Sequence, residues 1–106
     1  MNIEELNNII KIKPAVMVYF SGAYCGVCKV LHPKIIKAMK KYYPLIEQIN
    51  LEVEQYPEIA GQFNVFALPT IIIYFDGKEI NRKSRNISIN GFISELKRPY
   101  GLFFKD

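Results

Sequence analysis

Ala15-Val16-Met17-Val18-Tyr19-Phe20-Ser21-Gly22-Ala23-Tyr24-Cys25-Gly26-Val27-Cys28 is the stretch whose reading decides the fold. Ala15 to Phe20 is an unbroken apolar run rich in β-formers, the pattern of a central strand buried on both faces. Ser21 to Tyr24 reads as a turn. The periodicity beyond it predicts a helix that opens at Cys25, with Val27, Val30, Leu31, Ile35 and Met39 on an apolar side. Lys29, Lys34, Lys37, Lys40 and Lys41 form the wet one. Pro33 falls inside that helix, where it predicts a kink, and Pro44 marks its end.

A cysteine placed where a helix begins has a chemical consequence. The first backbone N–H groups of a helix lack helical partners, and the macrodipole puts partial positive charge beside them. Both stabilise a thiolate, so Cys25 is expected to ionise below the ~8.5 of a free thiol. Cys28 lies one turn further on, on the same helix face, at a Cα separation of about 5–6 Å that suits a disulfide. The pair can therefore pass between dithiol and disulfide with little backbone movement. In that chemistry Cys25 attacks a partner's disulfide, and Cys28 then displaces the partner to leave the internal bridge. As a structural staple so short a loop would contribute little.

Working outward, Ile3, Leu6 and Ile10 predict an amphipathic helix over 2–11, which Pro14 ends. Alternation of Ile49, Leu51 and Val53 with polar residues predicts a strand over 46–53. Pro57 opens a short helix to Phe63. Thr70 to Phe75 is a second strongly β run, and Asp76-Gly77 signals a hairpin back over Lys78 to about Arg82. Ser88 caps a last helix expected to end near Arg98. A helix between the first two strands makes them parallel with a right-handed crossover, and the last two strands pair antiparallel. The expected architecture is α/β, a four-stranded mixed sheet with helices on both faces, in one domain over residues 1–106.

Composition narrows the function classes. The chain has 106 residues, half of them hydrophobic, and a net charge of +4 from 14 basic and 10 acidic side chains. That size and apolar content support one core. The charge lacks the basic clustering of nucleic-acid binders. Glu4, Glu5 and several Asn occupy the start, where a signal peptide would be basic and then apolar. The longest apolar run, 14–20, is far short of the ~20 residues that span a bilayer. A cytoplasmic monomer with no nucleic-acid or membrane partner is expected. Two cysteines three positions apart in a reducing compartment point to redox chemistry or metal binding. Cys25, Cys28 and His32 have zinc-like spacing, but a closed zinc site takes four ligands and no second cysteine pair exists, so no metal is expected.

The stretch from Phe20 through Cys25-Gly26-Val27-Cys28 to Pro33 resembles the active-site strand, turn and kinked helix of the thioredoxin family. Ala67-Leu68-Pro69-Thr70, 41 residues after Cys28, resembles that family's cis-proline loop. The resemblance implies a thioredoxin-like fold and a protein-disulfide reductase. It makes Cys25 the exposed nucleophile, Cys28 the more buried resolving thiol, and Leu68-Pro69 a cis peptide that pairs with an extended substrate segment. Tyr24, Gly26 and Val27 complete the substrate-facing surface, and Lys29 sits close enough to support the Cys25 thiolate. The partners implied are disulfide-containing proteins and a thioredoxin-reductase-type electron donor. No cofactor is needed, because the Cys25–Cys28 disulfide itself carries the two electrons.

Departures from the family pattern also carry expectations. Tyr24 stands where the family usually has Trp, and either shapes the partner surface or covers the cysteines. Val27 replaces the proline common between the cysteines, which points to a more oxidising couple. The family's buried acid aligns with Tyr19 and its lysine partner with Asn50. A phenol with a pKa near ~10 is a poor base, so Cys28 activation is expected to be slower or to use water. His32 reads simply as a helix residue before the kink. Two other readings stay open: a thioredoxin-fold adaptor with slow redox chemistry, and a glutaredoxin-like reductase acting through glutathione.

Overall fold

In a computed structural model describing residues 1–105, eight elements alternate along the chain. They are α1 (Ile3–Ile12), β1 (Ala15–Ser21), α2 (Gly26–Tyr42), β2 (Glu47–Glu52), α3 (Pro57–Gln62), β3 (Thr70–Phe75), β4 (Lys78–Ser84) and α4 (Ile89–Phe103). The strands form one sheet in the order β2-β1-β3-β4. β1 runs parallel to β2 and antiparallel to β3, and β3 pairs antiparallel with β4. The fold is the expected α/β architecture, a mixed four-stranded sheet flanked by helices.

The period of two along β1 divides the core. Ala15, Met17 and Tyr19 join Ile71, Ile73 and Phe75 of β3 beneath Ile35 and Met39 of α2 and Phe92 and Leu96 of α4. Val16, Val18 and Phe20 face the other way, with Ile72 and Tyr74 against Leu6 and Ile10 of α1 and Ile59 of α3. Because both faces of β1 and β3 are covered, their sequences read as solid apolar runs rather than alternating ones. Asp76 and Gly77 both adopt positive φ, 53° and 77°, as the tight β3–β4 hairpin requires.

Several boundaries shift by a residue, as in α1, β2 and α3, and three differences bear on the site or the core. α2 begins at Gly26, with Cys25 outside it as the N-cap in extended conformation. β4 continues to Ser84, and a bulge opposite Ile73/Tyr74 lets Ile80 sit as the extra residue between Glu79 and Asn81. α4 does not stop near Arg98 but runs through Pro99 to Phe103. Pro99 removes one helical N–H bond, but the turn beyond it is held by aromatic packing. The Tyr100 ring lies 4.7 Å from Tyr43, Phe103 lies 4.9 Å from Phe75, and Phe104 packs on Tyr100 and Phe103. Tyr43 also donates its hydroxyl to the Ile93 carbonyl, joining α2's end to α4. Tertiary burial overrides the local breaker there.

Candidate redox site

The C-terminal end of β1 delivers the chain to the site. Two turn bonds shape the connection: Cys25 N–H donates to the Gly22 carbonyl at 3.1 Å, and Ala23 N–H donates to Glu54 Oε1 at 3.0 Å. Gly22 is required for close approach. A Cβ there would come within 2.8 Å of Leu68 Cδ1, 3.1 Å of Glu54 Oε2 and 3.7 Å of Cys25 Cβ. The same geometry places Leu68, far away in sequence, against Gly22 in the turn that leads to the first cysteine.

Cys25 caps α2 through its sulfur, which accepts the Cys28 backbone N–H at 3.2 Å. The two cysteines form a disulfide with an S–S distance of 2.11 Å and a Cα–Cα distance of 5.3 Å. They differ in access: Cys25 is half-buried, whereas Cys28 is only 1% exposed. The more accessible cysteine is thus the one at the helix mouth.

Leu68-Pro69 is a cis peptide. Thr70 fixes this loop by donating its hydroxyl to the Ala67 carbonyl at 2.6 Å and sharing a 3.0 Å bond with Ser84 Oγ. The Pro69 carbonyl accepts Arg85 N–H at 2.8 Å. Around the cysteines lie Gly26 at the start of the helix, Val27 at 63% exposure and Tyr24 at 96%. Tyr24 therefore projects into solvent rather than covering the disulfide. Lys29 is exposed one turn after Cys25 and forms no ion pair among the described residues.

The sequence does not mark two exposed apolar side chains as surface: Phe66 in the proline loop, and Val30, which helical periodicity places on the apolar side of α2. Phe66 sits two residues before Leu68 in the proline loop, and its signal was an aromatic in a segment with no periodicity to bury it. Val30 follows from Val27 by helical spacing, yet its neighbours made it look like core. Beyond it, a groove of about 720 Å³ runs between α2 and the start of α4, lined by Val27, Val30, Leu31, Ile87 and Ile89.

Behind Cys28 the arrangement departs from a simple redox helix. Tyr19 is fully buried and donates its hydroxyl to the Cys28 carbonyl at 3.0 Å. Burial pushes its pKa up to about 12, so the phenol is a donor here and no base. The His32 ring stacks on Tyr19 with centroids 4.4 Å apart and planes 18° from parallel. Burial lowers the His32 pKa from its usual value. Among the described residues no group of three or more His, Cys, Asp or Glu side chains is placed to hold a metal ion.

Residues 1–98 match the thioredoxin family model. The chain belongs to the thioredoxin family. It is 29% identical over 98 residues to the thioredoxin-like protein YdfQ of Bacillus subtilis, an alignment covering 92% of this chain and 87% of that one. It is 36% identical over 76 residues to thioredoxin H2 of Arabidopsis thaliana, covering 72% of this chain and 56% of that longer relative. Among solved structures, oxidised mitochondrial thioredoxin 3 of Saccharomyces cerevisiae superposes with a TM-score of 0.74 at 28% identity, covering 93% of this chain and 88% of that one.

Thioredoxins act as protein-disulfide oxidoreductases through their own redox-active disulfide, without a further cofactor. The Cys25–Cys28 pair at bonding distance is the corresponding feature of this chain. The adaptor and glutaredoxin-like readings are not favoured. No helix among the described residues is long and apolar enough to cross a membrane.

Proposed function

We propose that this chain works as a single domain over residues 1–106, and as a monomer in the cytoplasm, to reduce disulfides in protein substrates. Cys25 is the nucleophile and Cys28 the resolving thiol. The observation that carries this assignment is the asymmetry of the pair: Cys25, half-buried at the start of a helix, stands one turn ahead of Cys28, which is only 1% exposed. Helix-start N–H groups favour negative charge on the forward sulfur, and the exposed Lys29 adds positive charge nearby. The Cys25 thiolate attacks one sulfur of the substrate disulfide, and the other leaves as a thiolate that takes a proton. Cys28 then attacks Cys25, releasing the second substrate sulfur and forming the internal bridge.

Substrate recognition is assigned to the surface around the disulfide. Tyr24, Gly26 and Val27 present an exposed, mostly apolar platform. Leu68 and Pro69 offer backbone beside Cys25, where an extended segment of a substrate can add as a short strand. A thioredoxin-reductase-type donor returns two electrons to the bridge. No nucleic acid or membrane takes part.

The test is reduction of insulin with dithiothreitol as the electron source. The wild-type protein is expected to accelerate precipitation of the insulin B chain, Cys25→Ser to abolish the effect, and Cys28→Ser to accumulate a mixed disulfide on Cys25. An undiminished rate in Cys25→Ser would overturn the assignment.

A further inference from the structure

The resolving step proposed above needs a place for a proton. Cys28 must lose its thiol hydrogen before its sulfur can attack Cys25, yet Cys28 is 1% exposed. Tyr19, the group pressed against its backbone, already spends its hydroxyl hydrogen on the Cys28 carbonyl. Beside Cys28 lies a cavity of about 250 Å³, lined by Ser21, Cys28, Lys29, His32, Asn50 and Glu52. A space of that size, with Ser21, Asn50 and Glu52 among its walls, has room and partners for water.

His32 is the side chain built to use it. It follows Cys28 by four residues on α2 and so shares its helix face. Its ring is fixed by stacking on Tyr19. It lines both the cavity beside Cys28 and a second one of about 460 Å³ that runs on between α2 and β2. His32 thus stands between the buried sulfur and an opening along the sheet edge.

We propose that His32 is the proton acceptor for Cys28, reached through one water in the cavity, when the mixed disulfide on Cys25 is resolved. This rests on the redox reading above. In the step, the Cys28 proton moves to the imidazole, and the Cys28 sulfur attacks the Cys25 sulfur. The Cys25–substrate bond breaks, and its electron pair leaves on the substrate sulfur. The histidinium then returns its proton to solvent through the second cavity. The protein dithiol is oxidised by two electrons and the substrate disulfide is reduced by the same two.

The other titratable groups facing His32 fit the role less well. Tyr19 on β1 is a committed donor. Glu47 and Glu52 on β2 lie on the walls of the two cavities, and neither comes within salt-bridge distance of the imidazole among the described contacts. A carboxylate is also further than imidazole in basicity from a thiol, with reference pKa values of about 4.3, 6.5 and 8.5. Lys29 and Lys40 line the same cavities from its own helix and bring ammonium donors rather than a proton acceptor. Desolvation of the ring favours the uncharged imidazole, the form that can accept.

The test uses the reduced, full-length protein and the aromatic disulfide of Ellman's reagent as a stand-in for substrate. Attack by Cys25 releases the first coloured thiolate, and displacement by Cys28 releases the second. That second phase is intramolecular and independent of reagent concentration. Followed by stopped flow from about pH 5 to 8, its rate in the wild type is expected to rise and then level off at the pKa of His32. As the only histidine of the chain, His32 gives a single imidazole resonance, so proton NMR reads that pKa independently. His32→Gln is expected to lose the inflection and to slow the second phase about 100-fold at neutral pH, the low end of general-base effects. Added imidazole should restore part of the rate in His32→Ala.

An unchanged pH profile in a folded His32→Gln protein would overturn the proposal. So would transfer of the loss to Glu52→Gln, or a wild-type inflection that misses the NMR pKa, which needs no variant to fold. Absence of any second thiolate from the wild type would instead sink the redox reading beneath it.

Discussion

Tyr19→Phe separates two roles that the site could assign to the phenol. The side chain is fully buried, and its hydroxyl makes one hydrogen bond, 3.0 Å to the Cys28 carbonyl. The replacement keeps the ring, its packing among Ile35, Met39 and Ile71, and its stack on His32. It removes one hydrogen bond worth about 1 kcal/mol net, and the carbonyl it leaves still sits in the helical ladder of α2. A loss of about 1 kcal/mol lowers Tm by roughly 4–8 °C in a domain near this size. In urea, with m of about 1–2 kcal/mol/M, the midpoint should fall by about 0.5–1 M while the slope stays constant. Insulin reduction measured well below the transition should change less than threefold (about 0.6 kcal/mol in the barrier), because the phenol holds the helix and the ring and moves no proton of its own. If the variant keeps its stability within error but loses tenfold or more in rate, the hydroxyl belongs to the proton path and the division of labour between Tyr19 and His32 is wrong.

Alkali should unfold the protein through its buried phenols. Burial pushes Tyr19 and Tyr74 to about 12, against 10 in an exposed chain. Each stays protonated in the folded state while the unfolded state ionises, so stability is intact below pH 10 and falls as pH rises toward 12. The slope is about 1.4 kcal/mol per pH unit for each group; urea midpoints taken alongside tyrosinate absorbance check it, and a midpoint flat across that window would refute it. Arg82→Ala should cost about 1–2 kcal/mol. Its guanidinium donates to the Phe63 carbonyl at 2.9 Å while paired with Glu79 at 2.8 Å, tying β4 to the end of α3. Thermal melts of Arg82→Ala and Glu79→Gln measure the two parts, and the first should fall further.

The fold was legible because the apolar runs and their breakers agree. A strand covered on both faces cannot alternate, so the solid blocks at 15–20 and 70–75 announced the two central strands of the sheet. The edge strand β2, with one face on α1 and α3, kept the alternation of Leu51 with Asn50 and Glu52. What local pattern could not supply was the end of α4. Pro99 is a helix breaker by its own chemistry, and only Tyr43 and Phe75, distant in sequence, give Tyr100, Phe103 and Phe104 a reason to continue the helix past it.

The site divides along the same line. Cys25 and Cys28 declared themselves, because helix-start chemistry and a one-turn spacing are properties of a few consecutive residues. His32 did not. A single histidine on a lysine-rich helix has no local mark of function, and its significance depends on what the sheet places beneath it. That residue is Tyr19, whose bulk supports the imidazole and whose hydroxyl is turned away to the Cys28 carbonyl. Tyr19 itself lines neither cavity; it carries the stacked imidazole that lines both. With tyrosine there, the strand loses a proton acceptor, and the helix gains a flat surface that holds one, four residues after the sulfur that needs it.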